Sequence, residues 1–263
     1  MPDHTIFNER PESQDRALKV IERLGYTIVP RSEAERKRGS RKAVLFTEEL
    51  QTFLSGQTYQ FGSETRYFSG GAIARAMQAV DQHSAAGLYA ANKEIYELIC
   101  SGKSMEEELP DGTRQSFDIR YIDFEHPENN TFQVTDEFEV ERPNGRFARP
   151  DLVVLVNGIP LVVIECKKSS VDVMEGVMQN IRNWGEDYIP HLFRYAQLVM
   201  AMNPDKVLYG TCGTPAKYFV SWHEDNKDWL NDWCRKCSPD GQIREQDRAL
   251  VSLLHPERLL DLI

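Results

Sequence analysis

Three charged side chains flank two apolar runs in the middle of the chain. Asp151 precedes Leu152-Val153-Val154-Leu155-Val156, and Ile159-Pro160-Leu161-Val162-Val163-Ile164 leads into Glu165-Cys166-Lys167. Two carboxylates and a lysine brought to one place would hold a hard divalent cation and the phosphate that the cation carries. The plainer alternative is a structural ion pair at the end of a hairpin. Burying charge is costly unless it is paired or binds something, so charges at the ends of such apolar runs require a partner.

The elements that must position them can be read from the same stretch. Asn157-Gly158 between two β-branched runs predicts a hairpin. Both runs are almost wholly apolar, which places the hairpin near the centre of a sheet covered on both faces. Glu165 and Lys167 are two apart and share a face of their strand. Asp151 joins them only if it lies directly across from Glu165. A two-residue turn alone pairs Asp151 with Ile164 and sends the two carboxylates to opposite faces. A three-residue loop, Asn157-Gly158-Ile159, or a bulge pairs Asp151 with Glu165, so the site requires an odd-length loop or a bulge here.

Pro150-Asp151 followed by Glu165-Cys166-Lys167 resembles the PD-(D/E)xK pattern of metal-dependent nucleases. The flanks sharpen the likeness. Arg149-Pro-Asp-Leu-Val, Val156-Asn-Gly-Ile-Pro-Leu-Val-Val-Ile-Glu and the upstream Tyr121-Ile-Asp-Phe with Pro127-Glu-Asn-Asn-Thr-Phe resemble the nuclease domain at the N-terminus of type I restriction enzyme R (HsdR) subunits. The resemblance covers most of the chain and is weakest from Arg31 to Ala86. It implies an α/β (α+β) fold with a restriction-endonuclease-like core, a central mixed sheet flanked by helices. It also implies a nuclease domain over 1–254, with 28–86 as a candidate family-specific insertion, and a linker beginning at 255–263 toward a helicase motor that this chain lacks.

Under that resemblance Asp151 and Glu165 bind Mg²⁺, the Cys166 backbone carbonyl adds an oxygen, and Lys167 positions the attacking water and offsets charge on the phosphate. The Cys166 side chain points to the other face and is expected to be packed; Lys168 points the same way. The family often carries an acidic residue on its first helix. Here Gln14 holds the inward position, which leaves Glu12 as a candidate extra ligand or simply a favourable charge at a helix N-terminus. The family's Q-x-x-x-Y motif is matched at Gln179, a candidate supporting residue, while Asn183 stands where Tyr is expected. The implied activity is Mg²⁺-dependent hydrolysis of DNA in partnership with methyltransferase (M) and specificity (S) subunits, with ATP used only through the motor. A silent docking module for methyltransferase subunits and a stand-alone repair or recombination nuclease are the competing readings. No base-reading motif is visible, and the DNA-binding residues are left unknown.

Composition bounds these readings. With 41% hydrophobic residues a real core is available, and a net charge of −10 argues against a generic DNA-coating protein. Local contact with DNA by an acidic nuclease remains compatible with it. No apolar N-terminal segment marks a signal peptide, no run is long enough for a membrane span, and five cysteines without a disulfide pattern fit a reducing cytoplasm.

Along the chain, Pro11–Leu24 has helical spacing and ends at Gly25, and Tyr26–Val29 reads as a strand. The basic cluster from Arg31 to Lys42 is a solvated helix or loop interspersed with Glu33 and Glu35, or a phosphate grip. Gly70–Gly102 is helical. Ser101-Gly-Lys-Ser104 fails as a phosphate-binding loop, because Glu97 stands where its first glycine belongs. Ser116–Phe124 and Phe132–Glu141 alternate as partner strands, giving a meander of about four strands with the central hairpin. Val171–Trp184 is a helix, Tyr188–Tyr195 a turn and short helix, and Gln197–Met202, Lys206–Thr211 and Lys217–Trp222 are further strands. Cys234-Arg-Lys-Cys237 is half a zinc pattern without a second half, so incidental thiols are expected.

Overall fold

The computed structural model describes residues 12–82 and 87–263. Pro11, expected in the first helical turn, lies outside them, as do 83–86 within the long helical stretch. In chain order come α1 (Glu12–Arg23), β1 (Thr27–Val29), α2 (Arg31–Arg38), α3 (Thr47–Ser55), the hairpin β2 (Thr58–Phe61) and β3 (Glu64–Tyr67), α4 (Gly70–Asp81) and α5 (Leu88–Ser101). A second hairpin, β4 (Lys103–Glu108) and β5 (Arg114–Ile119), precedes β6 (Phe132–Asp136), with the small pair β7 (Val140–Glu141) and β8 (Phe147–Ala148) after it. The central hairpin is β9 (Leu152–Val156) and β10 (Ile159–Cys166). Then follow α6 (Val173–Asn183), α7 (Pro190–Phe193), β11 (Leu198–Asn203), β12 (Lys206–Gly210), α8 (Lys227–Cys237), α9 (Glu245–Leu254) and α10 (Pro256–Leu262).

The expected α/β architecture with a central mixed sheet is present. Six strands run in the order β1-β6-β9-β10-β11-β12. β1 lies parallel to β6 and β10 parallel to β11, while the other neighbours are antiparallel. Every residue of β9, β10 and β11 is buried, as their unbroken apolar runs require. Helices α1 and α6 pack on this sheet, α6 against β10, β11 and β12, and α1 against β6. Helix α6 comes close because Gly176 has no side chain; a Cβ there would lie 3.0 Å from the Cβ of Ala201. Helix α9 packs on α1 and β12, and α10, which carries the residues expected to begin a linker, buries Leu259 and Leu260.

The central hairpin resolves the register question by a bulge rather than a longer loop. Val156 pairs with Ile159 across a two-residue turn, with Asn157 at φ 49 and Gly158 at φ 80. Both central residues are left-handed, the conformation that matches the strand twist. The pairing then shifts between Pro160 and Val162, so that Val154 meets Val162 and Leu152 meets Ile164. Pro160 has no N–H to give the ladder, which makes this the natural place for the extra residue. One step further, Asp151 is opposite Glu165. Gly158 is also needed for space: a Cβ would sit 2.3 Å from the Phe46 carbonyl oxygen, while the Phe46 N–H donates to Gly158 at 2.9 Å.

Two expected strands are corrected. Residues 116–119 do not pair with 132–141; they belong to β5, whose partner is β4 across the Asp111-Gly112 turn. The partners of β6 are β1 and β9. Alternating apolar residues identify a half-buried strand but not its neighbour, and β4 (Lys103-Ser-Met-Glu-Glu-Glu) is too polar to announce itself. In 217–222, Ala216–Tyr218 forms a 3₁₀ turn and only Val220 bridges Tyr209. The basic stretch after Arg31 is engaged with the protein's own carboxylates. Arg31 and Arg41 bind Glu139, Lys37 binds Glu49, and buried Arg38 stacks on Phe138 at 4.0 Å.

Candidate active site

The site forms where β9 begins and β10 ends. The bulge-corrected register puts Asp151 and Glu165 side by side, and Asp151 Oδ2 accepts from the Cys166 N–H at 2.6 Å. Glu165 is fully buried at the last turn of the sheet's apolar core, and Lys167 is half-buried at its rim. The Lys167 N–H donates to the Met202 carbonyl, so the chain stays attached to β11 past the last strand residue.

Helix α6 supplies the second layer. Lys167 Nζ donates to Gln179 Oε1 at 2.6 Å, and Gln179 Nε2 donates to Glu165 Oε2 at 2.6 Å. The Gln179 amide therefore links the ammonium to the carboxylate and fixes both. Asn183 Nδ2 reaches the other oxygen, Glu165 Oε1, at 3.2 Å. Gln179 and Asn183 are four apart and share one helix face, which is how both reach one carboxylate. Asn183 thus occupies a working position although it departs from the expected Tyr. That i, i+4 spacing of two amides was its signal in the sequence.

Helix α1 supports the site from its backbone side. Ser13 Oγ donates to the Lys167 carbonyl at 2.7 Å, and Gln14 Nε2 donates to the Asp151 carbonyl at 3.2 Å. Gln14 does face inward, as its spacing implies, and is fully buried. Glu12 takes another direction: its side chain is 73% exposed and pairs with Arg244 at 2.7 Å. It is corrected from candidate ligand to a surface ion pair, because two residues along a helix turn the side chain to a different face. Cys166 is buried, as expected for a packed side chain, and Lys168 is exposed.

Electrostatics set this place apart. Burial pushes the Glu165 carboxyl well above the usual carboxylate range, and the neighbouring Asp151 charge adds to it. Burial also raises Asp151, opposed by the Cys166 N–H and by Lys167. Two carboxylates pressed together inside the protein hold protons unless positive charge arrives. The donor set is hard oxygen, which suits Mg²⁺ and not a soft metal. Among the described residues no three His, Cys, Asp or Glu side chains are gathered for a metal. A cation placed here would meet the carboxylate pair as its side-chain oxygens in this conformation, with main-chain oxygen, water and phosphate left to complete a shell. Cys234 and Cys237 are buried thiols, and burial pushes Cys234 up to about 12, away from ligand chemistry at neutral pH. No helix among the described residues is long and apolar enough to cross a membrane.

Comparison with known sequences gives a family match over most of the chain. The profile of the family described as Type I restriction enzyme R protein N terminus matches residues 6–218, a span that contains every residue of the carboxylate site. The HindI type I restriction enzyme endonuclease subunit of Haemophilus influenzae is 26% identical over 266 aligned residues, covering 98% of this chain and 24% of the relative. A Methanocaldococcus jannaschii protein bearing the name of a type I restriction enzyme endonuclease subunit, MjaIXP, is 33% identical over 52% of this chain and 13% of its own length. The SsaAORF53P endonuclease subunit of Staphylococcus saprophyticus is 36% identical over 32% of this chain and 9% of its own. The chain therefore spans a quarter or less of each of these relatives.

Proposed function

The chain belongs to the family of type I restriction enzyme R protein N termini, and from that premise we propose that it is a Mg²⁺-dependent DNA endonuclease unit. The observation that carries this reading is the pairing of half-buried Asp151 with fully buried Glu165, aligned by a bulge beside Lys167, where burial pushes both carboxyls up. Asp151 and Glu165 would hold the cation, with the Cys166 carbonyl as a further oxygen. The cation supplies Lewis-acid activation of water and neutralises charge on the scissile phosphate.

The chain's own residues do the rest. Gln179 and Asn183 fix the Glu165 carboxylate from both oxygens, and Gln179 aims the Lys167 ammonium. Lys167 donates to the attacking water or to a phosphate oxygen and offsets charge as it builds. Water attacks phosphorus and gives a proton to solvent, the ester P–O bond on the far side breaks, and the departing oxygen takes a proton from solvent. The substrate is DNA, and the family setting supplies M and S subunits for sequence recognition and an ATP-driven motor for translocation. In that setting residues 1–254 are the nuclease unit, and the absence of any base-reading motif follows from delegated recognition.

Calorimetric titration with MgCl₂ tests the reading, comparing the unaltered chain with Asp151→Ala and Glu165→Ala. Binding that vanishes in both variants supports one shared cation site. Equal binding in all three proteins overturns the assignment.

A further inference from the structure

The strand register extends the site by one carboxylate that neither the sequence pattern nor the family motif marks. Asp136 of β6 pairs with Leu152, and Leu152 pairs with Ile164. One residue beyond each of these stand Glu137, Asp151 and Glu165, a single row across three adjacent strands. The ladder continues to that row, since the Glu137 N–H donates to the Asp151 carbonyl at 2.9 Å. The Gln14 amide nitrogen reaches both the Asp151 carbonyl at 3.2 Å and the Glu137 carboxylate at 3.4 Å, which sets that carboxylate beside Asp151.

Glu137 is also held in an unusual backbone state. Its φ is 53, left-handed, in a residue with a full side chain. Such a conformation is disfavoured for Glu and persists where surrounding structure imposes it, commonly at working sites. Its half-buried carboxylate is shared between two neighbours, Arg149 Nε at 2.8 Å and Gln14 Nε2 at 3.4 Å. Gln14 touches Glu137 and Asp151 with one amide nitrogen, while its Oε1 is buried without a hydrogen-bond partner. A fully buried, unsatisfied carbonyl oxygen on the group that bridges two carboxylate residues is costly unless something positive or protic comes to it. Reversing the amide would set that oxygen against the Glu137 carboxylate, so the orientation is fixed by its neighbours.

We infer that Glu137 is a third carboxylate of the cation site, its side chain exchanging between the Arg149 ion pair and a cation beside Asp151 and Glu165. The inference rests on the cation reading of Asp151 and Glu165. Arg149 is 43% exposed, and an ion pair at that exposure is weak enough to exchange.

The test is Mg²⁺ and Mn²⁺ titration calorimetry on the full chain, with a DNA duplex present in a second series. Four proteins are compared: unaltered, Glu137→Gln, Arg149→Met and the double variant, each checked for folding by circular dichroism. Glu137→Gln is close in shape and is expected to weaken cation binding about tenfold or more. Arg149→Met, which leaves Glu137 its side chain and removes its competitor, is expected to tighten binding several-fold. In the double variant most of that gain should disappear, because Glu137 is no longer there to be released. Unchanged affinity in Glu137→Gln overturns the inference, as does a full Arg149→Met gain in the double variant, which would mark Glu137 as a salt-bridge partner only. Absence of binding in the unaltered chain, with and without DNA, would instead remove the Asp151–Glu165 cation site itself, and this inference with it.

Discussion

Helix α1 touches two clusters of buried charge that are built in opposite ways. On one side Arg16, 6% exposed, is surrounded by acceptors. It donates to Asp247 through two nitrogens at 2.8 and 2.7 Å, to Asp240 at 2.8 Å and to Ser238 at 3.1 Å. On the other side lie Asp151 and Glu165, where carboxylates outnumber the nearby lysine. In the first cluster charge is matched, two arginines to two aspartates, because Arg244 also lies 3.9 Å from Asp240: the bond to Asp247 raises the Arg16 pKa further, and Arg16 holds Asp240 below the usual carboxylate range. In the second, burial and mutual repulsion move both carboxylates up. The structural cluster favours the charged forms of its acid and base, while Asp151 and Glu165 are shifted toward their neutral forms.

The largest expected effect is on the matched cluster. Arg16→Leu would strand Asp247, which is fully buried, without its cation. Removing one partner of a buried ion pair costs about 3–5 kcal/mol, so the urea midpoint of Arg16→Leu should fall by that equivalent. A loss under about 1 kcal/mol would place the pair with ordinary surface ion pairs and would break the contrast at its structural end.

The unmatched cluster should respond in the opposite sense. Both carboxyls have folded-state pKa values above their unfolded ones. The folded protein therefore keeps protons that the unfolded chain has already released. That stability is present at acid pH and is lost as pH rises through the raised folded values. In chelator, thermal denaturation should show stability declining as pH rises above the ordinary carboxylate range, and Mg²⁺ should restore it. Asp151→Asn keeps an oxygen for the Cys166 N–H and cannot ionise. It should stabilise the chelated protein at neutral pH and lose the Mg²⁺ response. A variant less stable than the unaltered chain under chelation would contradict this account.

The two clusters also differ in how far the sequence revealed them. The site was visible because its determinants are local: a proline-aspartate, an Asn-Gly turn, an E-x-K ending and a glutamine one helix later. Even the need for a bulge followed from counting residues between Asp151 and Glu165, although the loop or bulge choice depended on how Pro160 is accommodated. The Arg16 cluster joins residues 231 positions apart, and no periodicity connects them. The same limit hid Glu137, whose place became apparent only with the pairing of β6 and β9. It also produced the misplaced strand partnership, since Phe117 and Ile119 alternate correctly but turn back onto the polar strand β4. Patterning identifies faces, whereas chain-distant partners are chosen by packing and loop closure.

A half-buried base sharpens the comparison by showing what burial does without an acidic partner. His191, at the start of α7, has its Nε2 buried with no hydrogen-bond partner and lies near Arg194. It lines a cavity of about 690 Å³ together with Val44, Met77 and Pro190. Burial foremost, helped by the Arg194 charge, lowers its pKa from 6.5 to about 4. As pH falls below 6.5 the unfolded chain takes up a proton that the folded chain refuses, so stability declines until about pH 4 and levels below it. Because the ring is partly exposed, the contribution is discounted to about 1–2 kcal/mol. His191→Gln should flatten the thermal stability profile between those two pH values and leave it unchanged above pH 7. The slope therefore has the opposite sign to that of the carboxylate pair: one group makes the protein acid-sensitive by staying neutral, the other makes it base-sensitive by staying protonated. If the His191→Gln profile keeps the full acid decline, the decline belongs to other groups, and burial alone is too weak here to account for the raised carboxylates without their mutual repulsion.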